Sequence, residues 1–322
     1  MLHNALLILR HEGPAGLMRA VYGRLQAAAA RLAGRRHLEK RIHDYRMQLD
    51  LDDRGLSRTL ILFGKREREH QLMLERVLKP WMTVFDVGAN IGYYVLMEAR
   101  LVGPKGRIVA LEPSPDNVDR LRRNLELNQV ANAMVLSKAV SDRPGRRRFF
   151  LADQSNLHTF HDTGSAAPHL SGRSIEVDCT TVPELAAEFG APDLIRMDVE
   201  GHEVEVLGGM VAAVEAGSLA PMILFETHLS RYAADHDLEP PLRRLFACGY
   251  RARLVASSQE SGTARLEALG YAGGPRFSSD MTTRAIFENV ADDDAVRLIC
   301  ETGGVRAVLL AKDDPACAAS TS

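Results

Sequence analysis

The sequence has little cysteine and no long apolar run, and both absences narrow the class of protein. Its four cysteines lie far apart and form no C-x-x-C pair. This spacing argues against a zinc knuckle or a disulfide framework and predicts reduced thiols in a cytoplasmic protein. No uninterrupted apolar stretch approaches the ~20 residues that cross a bilayer. The apolar run at residues 5–9 is also too short for the core of a secretion signal.

An excess of one charge is also missing, except at the amino terminus. The net charge is −2 and aromatic residues make up 6% of the chain, so the body lacks the basic, base-stacking surface of a nucleic-acid binder. Residues 1–46 carry nine Lys or Arg and three Asp or Glu, a net of +6 that leaves −8 for the rest. We expect a helical arm there, broken near Gly13 and Gly34. The arm either packs with a solvated basic face or touches an anionic membrane, at the inner membrane face.

Apolar strands alternate with helices from Thr83 onward, which is typical of an α/β fold. Strands are expected at "TVFDVG", "RIVALEP", "AMVLSKAV", "DLIRMDVEG", "MILFETH" and "RAVLLAKDD", with helices between them. The pattern predicts a parallel sheet covered on both faces. We place this domain at residues 47–312, between the arm at residues 1–46 and a flexible tail at residues 313–322.

The section from residue 141 to residue 178 interrupts that alternation. Two short strands, "RRRFFLA" and "SIEVDC", flank a long polar loop. A long loop inside a compact domain is more often functional or mobile than neutral. His158 and His161 in this loop could close over a substrate, although incidental surface histidines are the plainer interpretation.

The stretch "VFDVGANIGYY" at residues 84–94 predicts a strand, a glycine turn and the start of a helix. A dinucleotide site requires G-x-G-x-x-G, but Asn90 and Tyr93 stand at the second and third glycine positions. This disfavours a nicotinamide-dependent oxidoreductase. Glu112, at the end of the next strand, suits both hydroxyls of a ribose. The pair predicts S-adenosylmethionine, with Asp86 receiving its ammonium group directly or through water.

Three segments resemble one known family. "DVGANIGYY", "LEPSPDNVDRLRRNLELN" and "RMDVEGHEVEVLGGM" are similar to the FkbM-type S-adenosylmethionine-dependent methyltransferases, over residues 47–230. The resemblance implies the class I methyltransferase Rossmann-like fold, with seven strands and the last one antiparallel beside the fifth. It also implies O-methylation of sugars, polyketides or related products. By position it implies a cofactor site at Gly88, Ala89, Asn90, Gly92, Glu112, Pro113, Ser114, Asn117 and Ala139.

A second motif, "MDVEGHE", places polar groups just after a strand, at the sheet edge where α/β proteins bind ligands. His202 is the first candidate for the base that takes the acceptor proton, because histidine titrates near neutral pH. Asp198 is the second candidate, and Glu200 completes the catalytic set. An alternative is that Asp198, Glu200 and Glu226 hold Mg²⁺, which would bind a substrate diol.

The sequence therefore predicts an S-adenosylmethionine-dependent methyltransferase that methylates a hydroxyl of a saccharide or another small natural product. The alternatives are a nicotinamide-dependent oxidoreductase and a non-enzymatic module that binds membranes through residues 1–46. The acceptor, the role of a metal and the oligomeric state are left open.

Overall fold

The amino-terminal arm is a long helix followed by a β-hairpin. In the computed structural model, which describes residues 2–162 and 166–312, helix α1 (Leu2–Leu32) breaks at Gly13, where φ is +67°. Residues 37–42, expected to be helical, instead form strand β1 (His37–Ile42), which pairs antiparallel with β2 (Tyr45–Asp50). The boundary expected at residue 46 therefore falls inside a hairpin. The tail expected at residues 313–322 lies outside the described residues.

Strands and helices alternate through the rest of the described chain. The remaining strands are β3 (Thr83–Val87), β4 (Arg107–Leu111), β5 (Ala133–Leu136), β6 (Ala139–Val140), β7 (Gly145–Ala152), β8 (Leu170–Thr180), β9 (Leu194–Met197), β10 (Met222–Glu226), β11 (Tyr250–Ser257), β12 (Phe277–Ser279), β13 (Thr282–Arg284), β14 (Ile286–Val290) and β15 (Val305–Lys312). The remaining helices are α2 (Leu56–Phe63), α3 (Arg68–Val77), α4 (Tyr93–Val102), α5 (Pro115–Leu127), α6 (Val182–Phe189), α7 (Glu203–Glu215), α8 (Glu239–Ala247), α9 (Glu260–Ala268) and α10 (Asp292–Val296).

The central sheet has the strand order expected for a class I methyltransferase, with one addition. Within the described residues its order is β14–β11–β15–β10–β9–β3–β4–β5. Strands β5, β4, β3, β9 and β10 are parallel, and β15 runs antiparallel beside β10, as the resemblance implies. The expected number of seven strands is wrong, because β14 pairs antiparallel with β11 as an eighth strand at the edge.

The sheet separates two apolar cores. Phe85 and Val87 on β3 point into one core with α6, α7 and α8, whereas Val84 points into the other core with α2, α3, α4 and α5. This alternation follows from the two-residue repeat of a strand. The expected helices on both faces of the sheet are therefore confirmed, and the carboxyl ends of the parallel strands are left open at one edge.

A small second sheet lies beside that edge. The segment "AMVLSKAV", expected to be one strand, divides into β5 in the central sheet and β6 in a three-stranded sheet of order β6–β8–β7. Strands β7 and β8 correspond to the two short strands expected around the polar loop. That loop, described at residues 153–162 and 166–169, therefore starts next to the open edge.

Helix α1 packs on the domain with one face and leaves another face exposed. Ala20, Ala27 and Ala30 are buried, and Gly23 lies so close to α2 that a Cβ atom there would be 2.2 Å from the Ile61 carbonyl oxygen. Four apolar side chains on the opposite face of the helix are exposed and lie at helical spacing, namely Met18, Val21, Tyr22 and Leu25. Among the described residues, none of the helices is long and apolar enough to cross a membrane.

Candidate active site

The turn after β3 requires glycine at two positions. Gly88 has φ of +81°, and a Cβ atom there would lie 2.2 Å from the carbonyl oxygen of Asp198. Gly92 has φ of +89° and opens α4, and a Cβ atom there would lie 2.4 Å from the Leu121 side chain. Because only glycine reaches positive φ readily, these two glycines determine the backbone conformation of the turn. The turn thus brings the backbone of Gly88 against the neighbouring strand end.

Glu112 closes the turn from the side of β4. It is buried, and its carboxylate accepts hydrogen bonds from the backbone N–H groups of Asn90 (2.9 Å) and Ser114 (2.9 Å) and from Asn117 Nδ2 (3.3 Å). Burial raises the pKa of Glu112 to about 7, although those hydrogen bonds act in the opposite direction. The residues predicted to line the adenosine edge therefore hold the carboxylate in place.

A cavity lies at the carboxyl ends of β3, β4 and β9. The predicted site residues that line it are Gly88, Ala89, Asn90, Glu112, Pro113, Ala139, Asp198, Glu200 and His202. Gly92, Ser114 and Asn117 lie behind this wall and support it. Most of the candidate residues predicted from the sequence therefore lie around one cavity, although they come from four separate segments of the chain.

Asp86 is not brought to the cavity. It has no exposed surface, and the Arg196 guanidinium lies 3.1 Å from its carboxylate. Burial raises the pKa of Asp86 despite that arginine. Arg196 in turn contacts Asp198 Oδ2 at 3.3 Å and lies 4.1 Å from the centre of the Tyr94 ring. Asp86 pairs with Arg196 and does not line the cavity, so its contact with the ammonium group, directly or through water, stays a prediction.

Arg196 was missed by sequence reasoning, although a signal was present. It stands within the apolar strand "LIRM", where an unpaired charge would be costly. An arginine at such a position indicates a buried acidic partner. The two carboxylates at Asp86 and Asp198 satisfy that requirement.

Part of the polar loop covers the cavity. The carbonyl oxygen of Ser155 accepts hydrogen bonds from Asn90 Nδ2 (3.1 Å) and Asn117 Nδ2 (3.2 Å). The N–H and Oγ of Ser155 bond to the Asp53 carboxylate at 3.2 and 3.0 Å. His158 lines the cavity beside this loop, whereas His161 does not. The loop is therefore tied to the glycine turn on one side and to the segment before α2 on the other.

Each ring nitrogen of His202 faces a side chain that does not line the cavity. Its Nε2 lies 3.0 Å from Ser141 Oγ, and its Nδ1 lies 3.1 Å from Glu205 Oε2. The ring stacks on Phe160 with 4.3 Å between centroids. Because neither nitrogen faces the cavity, the geometry does not favour the predicted role of His202 as the base.

The three carboxylates considered for Mg²⁺ are each faced by an arginine. The pairs are Arg196 Nη2 with Asp198 (3.3 Å), Arg231 Nη2 with Glu200 (3.6 Å) and Arg306 Nη1 with Glu226 (2.6 Å). The arginines already supply positive charge next to these oxygens. The magnesium hypothesis stays a prediction, and the charge balance of this group does not require a metal.

His228 is a cation at the rim of this acidic group. Its Nδ1 lies 2.9 Å from Glu203 and its Nε2 lies 3.2 Å from Glu226. Burial alone would lower the pKa of His228, but the surrounding carboxylates hold it well above its usual value. Glu200 differs, since burial raises the pKa of its carboxyl in spite of the nearby His228. Glu200 is therefore a stronger base than an exposed glutamate, and it lines the cavity.

The comparison with known families agrees with this architecture. Residues 86–252 match the family described as the methyltransferase FkbM domain. The chain belongs to the FkbM methyltransferase family. The matched range contains the glycine turn, Glu112 and the "MDVEGHE" segment.

Two curated relatives and one solved structure are among the proteins that this chain is similar to. The chain is 33% identical over 160 residues to 31-O-demethyl-FK506 methyltransferase FkbM of Streptomyces tacrolimicus, covering 41% of this chain and 61% of that protein. It is 33% identical over 143 residues to hexuronic acid methyltransferase AglP of Haloferax volcanii, covering 41% and 52%. The match therefore spans little more than half the length of these relatives. The crystal structure of methyltransferase FkbM from Methylobacillus flagellatus aligns at 16% identity with a TM-score of 0.35, covering 72% of this chain and 54% of that one.

Proposed function

We propose that this protein transfers a methyl group from S-adenosylmethionine to a hydroxyl oxygen of a saccharide or another small natural product. Family membership supports methyl transfer, and the two curated relatives are named for 31-O-demethyl-FK506 and for hexuronic acid. The observation that carries the proposal is the buried Glu112 carboxylate beside the glycine turn at Gly88. That pair offers a ribose acceptor and a close backbone approach without a phosphate cradle.

The residues of the cavity fit the parts of S-adenosylmethionine. Glu112 would accept the ribose hydroxyls, while Pro113 and Ala139 offer apolar surface for the adenine. Gly88 lets the backbone approach the amino-acid portion. The Asp198 and Glu200 carboxylates at the other end of the cavity suit a group that carries positive charge. The cofactor supplies an activated methyl group at this end, where the acceptor also has to bind.

We further propose Glu200 as the base. A hydroxyl attacks a methyl carbon poorly until it loses its proton, and a positioned base contributes about 10²–10⁴-fold. Glu200 lines the cavity and has a raised pKa, which makes its ionised form a better proton acceptor. Asp198, paired with Arg196, would orient the acceptor and stay ionised. Alignment of the two reactants supplies much of the remaining acceleration.

Isothermal titration calorimetry with S-adenosylmethionine and with NADH tests the cofactor class. We expect heat from S-adenosylmethionine only, because Asn90 stands where a pyrophosphate would need a glycine. Binding of NADH alone would replace methyl transfer with the oxidoreductase alternative. Labelled cofactor incubated with candidate sugars and hydroxylated small molecules, followed by mass spectrometry, then identifies the acceptor by the added methyl group.

The affinity for S-adenosylmethionine should depend on pH through Glu112. Its pKa is about 7, and only the ionised carboxylate can accept hydrogen bonds from both ribose hydroxyls with both oxygens. The dissociation constant should therefore fall as pH rises through about 7 and level off above it. Calorimetric titrations from pH 6 to pH 8 measure this change. The variant Glu112→Gln, which cannot ionise, should give a flat profile, and a wild-type profile equally flat would contradict the assignment.

The exposed face of α1 supports a second proposal, contact with an anionic membrane surface. Its apolar side chains Met18, Val21, Tyr22 and Leu25 lie next to Arg24 in a segment with a local net charge of +6. A surface helix with exposed apolar side chains beside basic ones gains from apolar burial and from attraction to anionic lipid. We propose lipid as the partner rather than a second copy of the chain, because two positively charged helix faces would repel each other.

Flotation with phosphatidylcholine vesicles containing phosphatidylserine tests this contact. The full chain should float at low salt, and the double variant Tyr22→Ser/Leu25→Ser should stay at the bottom. Trp81→Ser is the matched control, since Trp81 is also exposed but lies outside α1. Absence of flotation of the unaltered chain, or equal flotation of the double variant, would remove the membrane role. Light scattering that shows a dimer lost in the double variant would assign the face to self-association.

A further inference from the structure

Behind His202, on the side away from the cavity, three imidazoles surround one carboxylate. Glu205 on α7 lies 3.1 Å from His202 Nδ1 and 3.4 Å from His236 Nδ1. His161 lies against both of these histidines, with ring centroids 5.8 Å from His202 and 4.4 Å from His236. These residues come from three segments, namely the polar loop, the start of α7 and the turn before α8. The proposed methyl-transfer reaction uses none of these contacts.

The hydrogen bonds of His202 fix its neutral tautomer. Ser141 Oγ donates to Asp142 Oδ1 at 3.1 Å, since an ionised carboxylate only accepts. Ser141 Oγ therefore accepts from His202 Nε2–H at 3.0 Å. The neutral ring then presents the lone pair of Nδ1 to Glu205 Oε2. Two electron-rich atoms 3.1 Å apart in a buried place repel each other unless positive charge lies between them.

His236 repeats the same pattern. Its Nε2 donates to the carbonyl oxygen of Gly201 at 2.8 Å, and a carbonyl can only accept. Its Nδ1 lies 3.4 Å from Glu205 Oε1, and that carboxylate raises the pKa of His236. Within the described part of the chain, His161 Nε2, His202 Nδ1 and Glu205 Oε2 are buried and make no hydrogen bond. His202 itself is only 1% exposed.

We propose that the imidazoles of His161 and His202 and the carboxylate of Glu205 bind a zinc ion. Their ligand atoms all lie within 4.8 Å of one another. Tetrahedral zinc with ligands at about 2.0–2.1 Å separates neighbouring ligand atoms by roughly 3.3 Å, close to the 3.1 Å between His202 and Glu205. A small inward rotation of the half-buried His161 ring would bring in the third protein ligand, and a water molecule would take the fourth position. Imidazole and carboxylate together suit zinc better than magnesium.

The surrounding contacts have the form of an outer ligand shell. A metal-bound histidine usually donates its other ring N–H to an oxygen that fixes the ring orientation, as His202 does to Ser141. His236 holds the second oxygen of Glu205. The zinc ion joins the polar loop to α7 and thereby fixes Phe160, which stacks on His202 and lines the cavity. Its role is to hold the polar loop against the start of α7.

Zinc titrated into the full chain after EDTA treatment tests the proposal. We expect calorimetric heat with one zinc per chain, no heat with Mg²⁺, and a rise in melting temperature with zinc. His161→Gln and Glu205→Gln should each weaken zinc binding at least about tenfold. The matched control His169→Gln changes an exposed histidine near the same loop and should bind like the unaltered chain. Circular dichroism confirms that each variant is folded.

The competing arrangement is a metal-free ion pair in which His202 and His236 are both doubly protonated. In that case the unaltered chain gives no heat with zinc, and its melting temperature does not respond to the ion. That result would overturn the proposal, as would normal zinc binding by both folded variants. A Co²⁺ spectrum without the visible bands of four-coordinate cobalt would exclude the tetrahedral geometry. None of these measurements depends on methyl transfer.

Discussion

Replacing Glu200 with glutamine is expected to lower kcat by about 10²–10⁴-fold, the usual contribution of a positioned base. Glutamine keeps the size of the side chain and its place on the cavity wall, but it cannot accept the acceptor's proton. Binding of S-adenosylmethionine should change little, because Glu112 and the glycine turn make the proposed cofactor contacts. Single-turnover rates with labelled cofactor and titration calorimetry measure the two effects separately.

The exposed glutamate variant Glu301→Gln serves as the control for this experiment, and it should keep the unaltered rate. The rate of the unaltered enzyme should also rise with pH as Glu200 loses its proton, and that dependence should disappear in Glu200→Gln. A variant that turns over at the normal rate would exclude Glu200. In that case the same assay on Asp198→Asn tests the other carboxylate at this end of the cavity.

Replacing Glu112 with alanine removes the acceptor of two ribose hydrogen bonds and is expected to weaken S-adenosylmethionine binding by about 10²–10⁴-fold. Hydrogen bonds to a charged group contribute about 1.5–3 kcal/mol each, and a factor of ten corresponds to about 1.4 kcal/mol. The loss includes a structural part, because the N–H groups of Asn90 and Ser114 lose their acceptor. Titration calorimetry at pH 8 gives the change in dissociation constant.

Two further variants separate these parts of the Glu112 effect. Glu112→Gln keeps one acceptor oxygen for the turn and should bind the cofactor better than Glu112→Ala but worse than the unaltered chain. Asp116→Asn changes an exposed carboxylate four residues away, at the start of α5, and should have no effect. If Glu112→Ala, folded by circular dichroism, binds normally, the proposed ribose contact is wrong.

Much of the fold could be predicted because its strands are short, apolar and bounded by turn residues. β3, β4, β9, β10 and β15 appear where the sequence predicts them, and the glycine turn follows β3 as expected. The eighth strand could not be predicted in this way. β14 contains Glu288 and Asn289 between apolar residues, and an edge strand needs only one buried face. Its pairing with β11 is set by tertiary packing rather than by local pattern.

The candidate site was predictable where backbone geometry dictates the residue and less so where side chains act on each other. Gly88 and Gly92 are required by positive φ and close contacts, so their spacing in sequence carries the information. The partners of His202 depend on distant segments, with Ser141 on one side and Glu205 on the other. No periodicity in the sequence shows which side chains the two ring nitrogens face. The sequence also does not show that Arg196 separates Asp86 from the cavity.

The covering loop has a kinetic consequence. The carbonyl of Ser155 is anchored by two asparagine amides, and its own N–H and hydroxyl are anchored by Asp53. A molecule bound against Glu112 can leave past this loop only when all four of these hydrogen bonds break together. Such openings occur on the microsecond to millisecond scale in many enzymes. Opening of this loop would then be one of the steps through which spent donor is exchanged for fresh donor.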